Sequence, residues 1–185
     1  MTAPDDTKLL IRAIEFAARK HRMQRRKDVD ASPYINHPIA LMSVLCVEGG
    51  IDDPVVLAAA ALHDTIEDTE TTRDELAKAF GETIAGIVAE LTDDKSLPKA
   101  ERKLLQIEHA QHMSAAASSV KLADKICNIR DVGENQPADW SEHRRREYFE
   151  WARSVVDGLQ NPHPMLRQLF DDVIARGTRL NNLSN

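Results

Sequence analysis

A chain of 185 residues fits one domain with a sizeable core and is too short for two large catalytic domains. With 42% hydrophobic residues, 29% charged residues and only seven glycines, it reads as an ordinary globular protein and not as a loop-rich or all-β one. The formal net charge of -6 gives no general attraction to polyanions, so nucleic-acid binding would need a strong local basic patch.

The longest apolar run, "VVLAAAAL" at 55 to 62, is far below the roughly 20 residues that cross a bilayer. The start "MTAPDDTKLL" lacks the basic and apolar regions of a secretory signal. A cytoplasmic location, with no membrane contact, is the resulting expectation. Cys46 and Cys127 lie in helix-like segments without a CxxC pair and are expected to be reduced packing residues.

In chain order, Leu10, Ile14 and Ala17 recur at helical spacing before Arg25. The segment "RRKDVDASPYIN" (25 to 36) then has turn chemistry, and His37 opens the helix "HPIALMSVL". "EGGIDDP" (48 to 54) ends that helix and starts another, "PVVLAAAALHDTIED", read as continuous to Asp68. Thr72 and Glu75 have capping-box spacing for a short helix to Phe80, and Ile84, Ile87, Val88 and Leu91 mark the next. Further helices are predicted over 98–112, 115–131, 141–160 and 164–176, with breaks at "GENQPADW" and "NPHP". The expectation is a single all-α domain over 1–185, a bundle of roughly eight to ten helices with flexible ends at 1–6 and 178–185. Neither of the common glycine-rich nucleotide loops is present, so nucleotide chemistry would need another device.

"AALHDTIEDT" (60 to 69) is the stretch that suggests chemistry. Glu67 follows His63 by four residues and Asp68 follows Asp64 by four, which on a continuous helix gathers all four at one end and side. They could form a solvated acidic helix end. But carboxylates at a helix C-terminus oppose the macrodipole and repel each other, which favours a neutralising cation. His37 and Asp124, the latter within the apolar-faced "VKLADKICNIRD", are candidates to complete a metal site. Each taken alone has an ordinary alternative, a helix-start histidine and an aspartate paired with Lys121 or Lys125. Two imidazoles and two carboxylates without a thiolate suit Mn²⁺, Fe²⁺ or Zn²⁺. Such a centre can acidify water and neutralise a phosphoryl group, leaving Glu67 and Asp68 to orient or deprotonate the water.

The order H…HD…D, with "HDTIEDT" and "VKLADKICNIRD", resembles the HD-domain phosphohydrolases and among them the small alarmone hydrolases of the metazoan SpoT-homologue type. The resemblance extends through "FAARKHRMQRRKD", "PYINHPI", "LTDDKSLPKAERK" and "WSEHRRREYFEWA". It implies an all-α HD-domain fold, metal ligands at His37, His63, Asp64 and Asp124, and Glu67 and Asp68 acting on the hydrolytic water. It also implies Mn²⁺ as the usual metal and removal of the 3′-pyrophosphate of ppGpp or pppGpp, without synthetase activity. Cys127 departs from the aromatic residue or histidine that relatives often carry there.

The segment "RKHRMQRRK" (19 to 27) has six basic residues and no acidic one. It could be a solvated face. With 4% aromatic residues there is little for base stacking along a nucleic acid, and a small, highly charged nucleotide suits the patch better. The resemblance places Arg26 and Lys27 beside the base and makes Lys99, Asn128, Arg144 and Tyr148 candidates for the ribose and phosphates. Asn128 also lies four residues after Asp124, one helical turn away. Alternatives are hydrolysis of ppApp or of the NADPH phosphate, or nucleotide sensing without turnover.

Overall fold

The computed structural model describes residues 4–28, 30–134 and 140–183, which are almost wholly helical. The helices are α1 (Pro4–Lys20), α2 (Asn36–Ser43), α3 (Pro54–Leu62), α4 (Thr65–Asp68), α5 (Arg73–Phe80), α6 (Glu82–Leu91), α7 (Lys99–Ala110), α8 (Ala115–Glu134), α9 (Glu142–Gly158) and α10 (Pro164–Leu183). A π-helical turn, Val44–Glu48, continues α2. None of the described helices is long and apolar enough to cross a membrane.

α3 is the hub. Seven consecutive residues from Val56 to Leu62 are buried, as expected of a helix that is apolar all round. The Asp53 carboxylate caps its start by accepting from the Val55 amide, and Pro54 fills a first-turn position that needs no amide donor. α1, α2, α6 and α8 pack around it. α8 is the second axis: Val120, Leu122, Ala123, Ile126 and Ile129 are buried, and α10 covers it with Leu166, Phe170 and Ile174. The Thr72 hydroxyl caps α5 by accepting from the Glu75 amide, as the spacing predicts.

The segment 54–68 is not one continuous helix. α3 stops at Leu62, His63 and Asp64 form a corner, and α4 follows as a separate turn. Asp64 has φ -97° and ψ 1°, outside the α-helical region, and the Thr65 hydroxyl donates to the Leu62 carbonyl at 2.7 Å. α8 and α10 run further than the predicted 115–131 and 164–176, to Glu134 and Leu183. Pro4 to Asp6 and Thr178 to Leu183 are helical, while residues 1–3, 184–185 and the 135–139 part of "GENQPADW" lie outside the described residues. Cys127 is buried, but Cys46 is exposed and so is not a packing residue.

The chain between α1 and α2 turns back on itself. An isolated bridge pairs Arg25 with Pro33, Arg26 N donates to Ser32 O and Tyr34 N donates to Gln24 O. Asp28 accepts from both the amide and the hydroxyl of Ser32. This closed turn presents Gln24, Arg26 and Tyr34 to the end of α3 where His63 and Asp64 lie.

Candidate active site

Three elements converge at the α3 corner: α2 supplies His37, the corner supplies His63 and Asp64, and α8 supplies Asp124. One ligand atom from each of His37, His63 and Asp124 lies within 4.8 Å of the others. His37 Nε2 is 3.2 Å from Asp124 Oδ1. His63 Nδ1 donates to the Ala60 carbonyl at 2.9 Å, which leaves Nε2 with its lone pair in the neutral ring. That nitrogen is buried with no well-directed hydrogen bond, although Asp64 Oδ2 is only 2.8 Å away. A lone pair facing a carboxylate oxygen at that separation requires a proton or a cation between them.

The local electrostatics point the same way. Burial opposes charge on the His63 ring, but the Asp64 and Asp124 carboxylates overcome it and raise its pKa to about 9. Burial alone would raise the two aspartates, yet both titrate below the usual carboxylate range. Asp64 is held down by His63 and His37, and Asp124 by Lys125 and the same two rings. Two imidazole nitrogens and carboxylate oxygens, with no thiolate, fit a divalent ion of borderline-to-hard character. Asp64 stands beside this triad: its Oδ2 also accepts a short hydrogen bond from Tyr34 OH. Asn128 Nδ2 donates to Asp124 Oδ1 at 2.6 Å, one helical turn away.

Glu67 and Asp68 separate in space. Glu67 lines the cavity of about 200 Å³ that holds the metal candidates, while Asp68 lines a neighbouring cavity of about 340 Å³. Glu67 Oε2 accepts from the Asp93 amide at 3.1 Å. Burial, with smaller contributions from the Asp64, Asp93 and Asp68 charges, raises its pKa to about 6 despite that amide. Asp68 accepts from Gln24 Nε2 at 2.6 Å and is ion-paired with Lys95. The corner breaks the single helical face on which all four side chains would have projected together.

The predicted substrate residues fall on two adjoining cavities. Arg26, Lys27, Asn128 and Tyr148 line the one shared with Asp68. Lys99, Arg144 and Tyr148 line another of about 520 Å³, which Glu67 also borders. Tyr148 touches both of these and the metal cavity, and so joins the three. Arg26 is paired with Asp131 and lies over the Tyr34 ring at 5.7 Å. Its charge is therefore partly neutralised before any ligand arrives.

Sequence reasoning missed several residues here. Arg102 and Lys103 join Lys99 and Arg144 in the large cavity. The Lys103 pKa is lowered, first by burial and then by Lys99 and Arg144, with Glu147 opposing them. Lys103 lies four residues after Lys99, so helical spacing could have found it. Lys125 sits at 4.3 Å over the Trp151 ring and donates to Gln106 Oε1 at 3.0 Å, while Gln106 Nε2 donates to Asp93 Oδ2 at 2.6 Å. That chain ties the middle of α8, beside Asp124, to the loop whose Asp93 amide bonds Glu67, and no local pattern announces it.

A helical bundle with paired histidines, a corner aspartate and an aspartate from a distant helix around one cavity is the arrangement of a metal-dependent HD domain. The HD domain family profile matches residues 13–150, and the chain belongs to that family. Within it, the chain is 57% identical over 159 residues to the guanosine-3′,5′-bis(diphosphate) 3′-pyrophosphohydrolase MESH1 of Homo sapiens, covering 86% of this chain and 89% of that one. The MESH1 of Drosophila melanogaster is 47% identical over 163 residues, covering 88% and 91%. Among solved structures, a metazoan orthologue of SpoT that hydrolyses ppGpp and plays a role in starvation responses superposes with a TM-score of 0.89 at 44% identity, over 95% of this chain and 98% of that one.

Proposed function

We propose that the protein hydrolyses the 3′-pyrophosphate of ppGpp and pppGpp, giving pyrophosphate and GDP or GTP. The observation that carries this reading is the junction of a metal-ligand cavity with a cavity lined by Lys99, Arg102, Lys103 and Arg144, with Glu67 bordering both. Identities of 47–57% to pyrophosphohydrolases acting on this nucleotide support it. His37, His63, Asp64 and Asp124 would hold the divalent ion, for which we propose Mn²⁺. When bound, the ion supplies Lewis acidity to a phosphoryl oxygen and to water.

The remaining work belongs to the chain. Glu67, with a pKa raised to about 6, is mostly ionised at neutral pH and basic enough to take a proton from the attacking water. Asp68 orients that water from the adjoining cavity. The water oxygen bonds to the phosphorus attached to the 3′ oxygen, the ester P–O bond breaks, and the 3′ oxygen leaves as a hydroxyl. The 3′ oxygen takes its proton from solvent and Glu67 returns its own to solvent, so the protons balance and the base is restored. Lys99, Arg102, Lys103 and Arg144 neutralise the departing pyrophosphate, Arg26 and Lys27 flank the base, and Asn128 and Tyr148 hold the ribose side. The cytoplasm is the proposed site of action.

The test is an activity panel with Mn²⁺ and, side by side, ppGpp, pppGpp, ppApp and NADPH. Pyrophosphate release from the guanine nucleotides, with the highest kcat/KM of the panel, is expected. Absence of pyrophosphate from ppGpp across Mn²⁺, Fe²⁺ and Zn²⁺ would overturn the reading, and a higher kcat/KM for ppApp or NADPH would reassign the substrate.

A further inference from the structure

Asp68 is held by a two-residue relay whose direction is fixed by chemistry. An ionised carboxylate only accepts hydrogen bonds, so Gln24 must turn its amide nitrogen to Asp68, with Nε2 at 2.6 Å from Oδ2. Gln24 Oε1 then faces His21 Nδ1 at 2.7 Å, and that ring nitrogen must carry the proton. The other nitrogen, Nε2, is buried without a partner in a residue only 2% exposed. The order is therefore His21 Nδ1–H to Gln24 to Asp68.

The relay is anchored at both ends. His21 N bonds to Ala17 O at the end of α1, Gln24 N bonds to His21 O at 2.9 Å, and Gln24 O receives the Tyr34 amide. The His21 ring also lies 4.8 Å from the Tyr34 ring, whose hydroxyl bonds Asp64. One buried ring thus backs the carboxylates on both sides of the α3 corner. Asp68 needs such backing because it sits on a four-residue helix and its other visible partner is Lys95, a side chain 47% exposed. An amide fixes the direction of the carboxylate without adding a formal charge beside it.

We propose that His21 and Gln24 are positioning residues that aim Asp68 at the attacking water, an inference that rests on the reading of Asp68 as part of the hydrolytic machinery. Steady-state kinetics on the metal-loaded full chain test it, with metal content and thermal midpoint measured for each variant. Gln24→Met keeps the length and removes the donor; it should lower kcat about tenfold with KM within about twofold. His21→Phe should act in the same direction, and His21→Asn, whose side-chain amide can supply an N–H near the Nδ1 position, should recover most of the loss. In an Asp68→Asn background, Gln24→Met should change kcat by less than about twofold.

An equal loss from Gln24→Met in both backgrounds, a loss confined to KM, or His21→Asn no better than His21→Phe would each overturn the relay. If Asp68→Asn retains full kcat, the reading of Asp68 itself fails. If Asp68→Asn is slow while Gln24→Met is not, only the relay fails. Gln24 is half-buried at a turn, so its variant tests the idea even if His21→Phe does not fold.

Discussion

Glu67→Gln is expected to make the metal-free protein more stable and the metal-loaded enzyme far slower. The Glu67 carboxyl titrates at about 6 instead of 4.5, chiefly because it is buried, with a side chain 18% exposed. A carboxyl raised in this way binds its proton more tightly in the folded chain than in the unfolded one. Stability therefore falls as pH rises from about 4.5 to about 6, and above that window the ionised group costs about 2 kcal/mol. Glutamine has the same shape, cannot ionise, and still offers a carbonyl oxygen to the Asp93 amide.

At pH 8 the metal-free Glu67→Gln variant should therefore melt about 5 °C above the parent, and the difference should shrink as the pH is lowered towards 4.5. Thermal unfolding in chelator across that range gives the measurement. With metal restored, kcat should drop about 10²- to 10⁴-fold, with metal stoichiometry unchanged. The parent's kcat/KM should rise with pH to a plateau whose midpoint lies at or below 6, since a bound cation favours the carboxylate. A melting difference that is zero, negative or independent of pH would refute the burial argument, and loss of metal in Glu67→Gln would show Glu67 to be a ligand.

His63→Ala and Asp124→Asn should each abolish stoichiometric binding of divalent metal in calorimetry, and activity with it, because each removes one corner of the triad. Lys99→Ala and Arg144→Ala should raise KM for ppGpp by about tenfold with a smaller effect on kcat, and added salt should mask the difference. Gly49→Ala should destabilise the fold by about 1–3 kcal/mol in denaturant titrations, because a Cβ there would stand 2.6 Å from Leu166 Cδ2 and 2.8 Å from the Leu45 carbonyl oxygen.

The helices were legible where burial is one-sided or complete. The apolar spacing of Ile84, Ile87, Val88 and Leu91 marks α6, and the uninterrupted run of α3 marks the centre of the bundle. The helix ends were less so: α8 runs past 131 through Val132, buried one turn after Ile129, and α10 runs past 176 through Leu180 and Leu183, which keep helical spacing. The triad residues were visible as residue types, but their convergence depends on how α2 and α8 pack against the end of α3. Tyr34, Gln106 and Lys125 were not visible as site residues, because a tyrosine in a turn, a glutamine on a helix and a lysine beside an aspartate are ordinary until a fold brings them to one cavity. Tyr34 and His37, three residues apart, are the exception that closer reading of "PYINH" could have caught.

The corner at His63 and Asp64 lets two adjacent side chains meet. On an unbroken helix neighbouring side chains diverge by about 100°, so an imidazole and a carboxylate at consecutive positions point to different surroundings. Ending α3 at Leu62 removes that constraint: Asp64 leaves helical geometry and its Oδ2 comes to 2.8 Å from His63 Nε2. The apolar run beneath, Val56 to Leu62, remains buried and holds His63 in place through the Ala60 carbonyl. Beyond the corner, α4 starts on a new axis and sends Glu67 and Asp68 to different cavities. The break thus takes an acidic run that would crowd one face and spreads it out: Asp64 beside the His63 ring, Glu67 on the cavity of the metal candidates, and Asp68 on the next cavity.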